Sequence, residues 1–149
     1  MTESPPPATA PAAAANAALG GEHAAIYAYG VVGARLDRSE QSLATSAITR
    51  HVSRRDTLTG LISAASGVPV AAEPAYRLPF PVRHRGDALR LAALVEDRLA
   101  ALYVALVEAT EDRALRSLGA GAVQAAAADA ASWRLRAGTA PVTVAFPGR

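Results

Sequence analysis

Residues 67–86 read GVPVAAEPAYRLPFPVRHRG, and this stretch decides how the rest of the chain must be arranged. Each of its four prolines lacks a backbone N–H and pushes the residue ahead of it away from helical geometry, so the segment predicts about twenty residues without regular helix. A connection that long is uncommon inside a compact domain unless it has a role. Here the role is geometric: an extended segment of this length can run from one end of a helical bundle to the other, with Tyr76, Leu78 and Phe80 as apolar anchors along it.

A helical hairpin is predicted on each side. Upstream, Leu19, Glu22, Ile26, Tyr29, Gly33 and Leu36 fall at steps of three and four, predicting a first helix that begins within Pro11–Asn16 and runs to about Leu36. Asp37-Arg38-Ser39 turns the chain, and Ser39 with Glu40 behind it reads as the N-cap of a second helix ending near Gly67. Downstream, Asp87 reads as the N-cap of a third helix to about Thr110, with Leu89, Ala92, Glu96, Leu99, Tyr103 and Leu106 in register. After Glu111-Asp112 a fourth helix runs to Gly138, facing Leu115, Leu118, Ala122, Ala125, Asp129, Ser132 and Trp133 inward, and Gly138 with Pro141 stops it. The fold class is therefore all-α, a four-helix bundle of two hairpins joined by one long Pro-rich crossover. One domain is expected over residues 12–149, with Thr139–Arg149 as an extended apolar tail against the bundle or a partner. Residues 1–11 are expected to be a disordered Pro/Ala-rich arm outside the core.

Composition supports the class. About a quarter of the residues are Ala, the best helix former, and aromatics are only 5%, which favours helices that approach closely. All 15 basic residues are Arg, set against 13 acids and scattered along the chain, so charge indicates neither a nucleic-acid nor a membrane-surface partner. The absence of Cys excludes disulfides, thiolate metal sites, iron–sulfur clusters and Cys nucleophiles. No apolar run approaches the roughly 20 residues that span a bilayer, and Met1–Pro11 lacks the basic start and apolar core of a secretory signal, so a cytoplasmic location is expected. Phosphate-binding Gly-rich loops, Gly-x-Ser-x-Gly and His-x-x-x-His are absent. Arg77, Arg83, His84 and Arg85 make the crossover the one locally basic region, which is either a solvated loop or a small-anion site beneath it.

Glu22 and Glu96 each stand alone in the apolar stripe of a predicted helix. A carboxylate buried there must find a partner or take up a proton. Two readings follow from the residues: metal ligation, or a buried network in which Arg54, Arg55, Tyr29 or Tyr103 supplies the donors, a guanidinium being able to bridge carboxylates with its fixed fork.

Three segments carry a resemblance: Glu22-His23-Ala24-Ala25, His51-x-x-Arg54-Arg55-Asp56, and Arg136-Ala-Gly-Thr. With them, and with the short, long, short order of links, Ala15 to about Phe146 resembles the ferritin-like four-helix-bundle family, specifically the small alanine-rich ferritin-like domain of unknown function of high-GC bacteria. The resemblance implies a di-iron design, with a Glu from each of two helices and a Glu-x-x-His pair from each of the others. Glu22, His51 and Glu96 match that pattern, whereas Ile48 stands where a Glu should precede His51, and Asp129 with Ser132 replaces the second pair. Glu22, His51, Glu96 and Asp129 are thus the candidate site for iron or manganese, in an oxidoreductase or metal store. The favoured reading is a degenerate centre without cofactor or catalytic residues, in a structural or interaction protein. The Ala-rich faces of helices 1 and 4, including Ala125–Ala131, suit close packing of two subunits, so a homodimer is expected.

Overall fold

The computed structural model describes residues 9–149, so positions 1–8 of the expected N-terminal arm lie outside the described residues. Four helices follow one another: α1 (Ala10–Gly33), α2 (Arg38–Ala64), α3 (Arg85–Ala109) and α4 (Arg113–Ala137). Ala10 and Pro11, assigned to the arm by composition, open α1 instead. Proline is well placed in the first turn, where its missing N–H would have no intrahelical partner and its φ is already helical. Helix α1 also stops at Gly33 rather than Leu36, yet Leu36 remains buried in the core just beyond it.

Two expected caps are corrected. Asp37, not Ser39, is the N-cap of α2. The N-cap of α3 is His84, not Asp87: the Asp87 N–H donates to His84 Nδ1 at 3.4 Å, and the Asp87 carboxylate accepts from the Arg83 N–H at 3.0 Å. That reciprocal pair satisfies two N–H groups in the manner of a capping box, with the imidazole in the place of the usual hydroxyl. Helix α4 is capped by Asp112, whose carboxylate accepts from the Leu115 N–H at 2.9 Å, and by Gly138 in the left-handed region at φ 65°.

Side-chain contacts give the helix directions. Glu22 meets His51 and Gly33 lies against Ala44, so α1 and α2 are antiparallel. Tyr103 meets Glu22 and Tyr29 meets Glu96, so α1 and α3 are antiparallel. His51 meets Glu96 and Glu40 meets Arg85, which makes α2 and α3 parallel, and α4 runs against α3 through Asp97–Arg134 and Tyr103–Gly119. The order is up, down, down, up.

The segment between α2 and α3 runs alongside α1 in the same direction. Asn16 Nδ2 donates to the Val68 carbonyl at 3.1 Å and Asn16 Oδ1 accepts from the Val70 N–H at 2.8 Å. Further along, His23 Nε2 lies 3.1 Å from the Val70 carbonyl, the Tyr27 and Tyr76 rings are 5.6 Å apart, and Arg35 Nε donates to the Val82 carbonyl at 3.3 Å. At the other terminus Gly148, at φ 83°, lies so close to α3 that a Cβ there would sit 2.7 Å from the Ala100 carbonyl oxygen, and Arg149 pairs with Glu108 at 2.6 Å.

The core has two apolar halves. One gathers Leu19, Leu58, Ile62, Leu99 and Leu106. The other gathers Val32, Leu36, Leu89, Leu91 and Trp133. Glu22, His51 and Glu96, fully buried, lie between these halves. Among the described residues, no helix is long and apolar enough to cross a membrane.

Candidate functional site

Helices α1 and α3 carry the same spacing, Glu22 with Tyr29 and Glu96 with Tyr103, a Glu and a Tyr two turns apart on one face. Because the helices are antiparallel, each tyrosine reaches the glutamate of the other. Tyr103 Oη donates to Glu22 Oε1 at 2.5 Å, and Tyr29 Oη donates to Glu96 Oε1 at 2.5 Å. From α2, His51 enters between the two carboxylates, with Nδ1 2.8 Å from Glu22 Oε2 and Nε2 3.2 Å from Glu96 Oε1. From α4, Trp133 Nε1 donates to Tyr29 Oη at 2.8 Å. All four helices therefore contribute to one continuous chain of hydrogen bonds. The matched Glu-x6-Tyr spacing on the two helices is the sequence signal for this exchange, beyond the general donor role expected of Tyr29 and Tyr103.

The imidazole is the charged donor. Burial alone would lower its pKa, but hydrogen bonds to Glu22 and Glu96, reinforced by their charges, reverse that effect and raise it to about 9. At neutral pH both ring nitrogens then carry protons and both donate. Burial pushes the Tyr29 hydroxyl far above its ordinary value, and the neighbouring Glu96 adds to this; burial and then Glu22 do the same for Tyr103. Both phenols stay neutral and act as donors. Among the described residues, two buried side-chain polar atoms have no hydrogen-bond partner: Glu96 Oε2 and Arg54 Nη1.

The structure brings Glu22, His51 and Glu96 together, while Asp129 and Arg54 lie outside the hydrogen-bonded chain, near enough that the Asp129 charge helps to raise the Tyr29 pKa and the Arg54 charge opposes the rise of Tyr103. Asp129, with its side chain 26% exposed, pairs with Arg50 at 2.8 Å on the outside of the bundle. Arg55 bonds to its neighbour Asp56 at 2.7 and 2.9 Å, and Arg54 makes no hydrogen bond to either buried carboxylate. The expected guanidinium bridge is thus replaced by the His51 imidazolium. Ser132, expected to face inward, is exposed, because Ala122, Ala126, Ala130 and Trp133 form the buried stripe of α4 and turn it by about one position. Ile48 packs with the apolar half around Trp133. No group of three or more His, Asp or Glu among the described residues is disposed to enclose an ion.

Of the basic residues Arg77, Arg83, His84 and Arg85, the last two are tied down at the start of α3. Arg85 bonds the Glu40 carboxylate with two nitrogens at 2.6 and 2.8 Å and lies 3.3 Å from Asp37, and this hydrogen bonding from Arg85 holds the Glu40 pKa below its ordinary value despite partial burial. His84 caps α3 and lies 3.4 Å from Asp87. The Glu40–Arg85 pair joins the starts of the two parallel helices; nothing in the local sequence pairs residues 45 positions apart.

Residues 14–149 match a family model described as Domain of unknown function (DUF4439). No curated protein matches the chain. Among solved structures, it is similar to the crystal structure of a conserved hypothetical protein, rv2844, from Mycobacterium tuberculosis, with 34% sequence identity and a TM-score of 0.83 over 85% of this chain and 96% of that one.

Proposed function

The chain belongs to the family described as Domain of unknown function (DUF4439), and we propose that it is a ferritin-like bundle whose centre is closed by a protonated histidine in place of metal, acting as a structural or interaction protein rather than an enzyme. The up, down, down, up order with one long link supports the ferritin-like relationship. The observation that carries the reading is the position of His51, whose two ring nitrogens both face carboxylates at 2.8 and 3.2 Å. A metal ligand must offer a deprotonated nitrogen, so an ion here would have to displace a proton that the ring shares with one of the carboxylates.

The residues do not fit a two-ion centre. Two hard cations need several free oxygens, but three of the four oxygens of Glu22 and Glu96 already accept protein donors. Ile48 stands where α2 would supply a carboxylate, and Asp129 is held outward by Arg50. The second reading is a single iron or manganese ion on Glu22, His51 and Glu96, with Asp129 turned inward. One observation favours it: Glu96 Oε2 is buried and has no hydrogen-bond partner among the described residues. Elemental analysis of the purified protein, before and after anaerobic incubation with ferrous iron and desalting, separates the two. The expected result is no stoichiometric iron or manganese in either sample. Retention of about one ion per chain, sensitive to Glu22→Ala, would replace the first reading by the second.

A further inference from the structure

A groove with a volume of about 180 Å³ lies between α1 and α3, beneath residues 76–79 of the long connection. Its walls are apolar: Gly21 and Ala24 of α1, Leu78 of the connection, and Val95, Leu99 and Leu102 of α3. Gly21 shapes it, because a Cβ there would sit 2.5 Å from Leu102 Cδ1 and 3.1 Å from Leu99 Cδ2; the bare backbone lets the two leucines lean against α1. The roof is held to α1 through Tyr76. Tyr76 packs on the Tyr27 ring of α1, and its hydroxyl accepts from the Glu73 N–H at 2.9 Å. The groove is thus already built around backbone that does not need to rearrange.

Two exposed cations, Arg77 from the roof and Arg98 from α3, also line this groove. Neither forms a hydrogen bond or ion pair among the described residues. The acid beside Arg98 in sequence, Asp97, is taken by Arg134. Two exposed guanidinium groups therefore line an apolar slot, neither of them paired with a carboxylate among the described residues. Charge complementarity selects an anion, and the apolar walls exclude one that is polar throughout, such as phosphate. A guanidinium fork matches a carboxylate. A volume slightly above the roughly 150 Å³ that accommodates a benzene-sized body sets the size of the apolar part.

We propose that the groove between α1 and α3 binds a small amphipathic carboxylate, its apolar body of about six to eight carbons lying on Ala24, Val95 and Leu102 and its carboxylate meeting Arg77 and Arg98 at the mouth. The site shares no residue with the Glu22–His51–Glu96 centre, so it stands or falls independently of the reading given for that centre.

Octanoate is the probe, with octanol and acetate as the uncharged and tailless controls, in an amide NMR titration of the full chain. Saturable shifts from octanoate, confined to residues 21–28, 76–79 and 91–102, are expected, with none from acetate. The double variant Arg77→Gln/Arg98→Gln alters only exposed positions and should weaken octanoate by at least about tenfold while leaving octanol unchanged. Ala24→Leu, which fills the groove, should abolish binding of both. Absence of saturable shifts in the groove would overturn the proposal. So would octanoate binding that the double arginine variant leaves intact, since charge recognition would then be missing.

Discussion

His51 is bonded to a carboxylate at each ring nitrogen, and no other side chain of the centre carries a positive charge into it by hydrogen bonding. Replacing it by a neutral residue leaves two carboxylates facing each other in an apolar interior, which is the costly way to break a buried pair. His51→Gln should therefore lower stability by about 3–5 kcal/mol in urea unfolding at pH 7. Glu96→Gln should cost less, about 1–3 kcal/mol, because the amide oxygen can still accept from Tyr29 and His51 while its NH2 group takes the place of an oxygen that has no partner. Equal losses from the two would argue against the charged bridge. Glu22 and Glu96 were legible as inward residues because large apolar neighbours define the stripes they share, whereas His51 was singled out only through the ferritin-like resemblance. Asp129, Arg54 and Arg55 were not, since a rotation of one residue turns a helix by about 100°, and the Ala-rich surface of α4 gives no contrast by which to choose the rotation.

Helix α4 shows how small residues set the approach of an element to its neighbour. Gly119 is buried against α3, and a Cβ there would lie 2.7 Å from Val107 Cγ2 and 3.4 Å from the Tyr103 carbonyl. Gly121, two positions on, is exposed and meets nothing within 4 Å. Gly119→Val should destabilise by about 1–3 kcal/mol through overpacking, and Gly121→Ala should stabilise by about 0.5–1 kcal/mol by removing backbone freedom from the unfolded chain. Thermal unfolding of both variants checks the pair; a Gly119 variant as stable as the parent would mean that α3 and α4 do not pack this closely. The body of each helix was legible from its period, whereas its exact start was not. Position 84 became a cap because its imidazole happens to accept the Asp87 N–H, a role sequence preferences assign to the Asp itself.

Because the hydrogen-bonded chain from Trp133 through Tyr29, Glu96, His51 and Glu22 to Tyr103 uses all four helices, the protonation of one imidazole acts on the whole molecule. Its pKa is raised from 6.5 to about 9 on folding, so its contribution to stability is fully present below pH 6.5 and is lost as pH rises through about 9. The shift corresponds to on the order of 3 kcal/mol. The urea midpoint of the parent should fall across that window, with secondary structure and tryptophan fluorescence changing together, and His51→Gln should lack the dependence. A parent midpoint that stays flat would show that the ring is not protonated in the fold. Four helices, the long Pro-rich link between the second and third, and the two glutamates of the inner stripes were determined by the sequence alone, because helical period and proline act over a few neighbouring residues. Which donor meets which buried carboxylate was decided only in the tertiary structure: the meetings of 22 with 103, 29 with 96 and 51 with both 22 and 96 depend on the antiparallel register and rotation of helices distant in sequence, and those are set by packing the whole core at once.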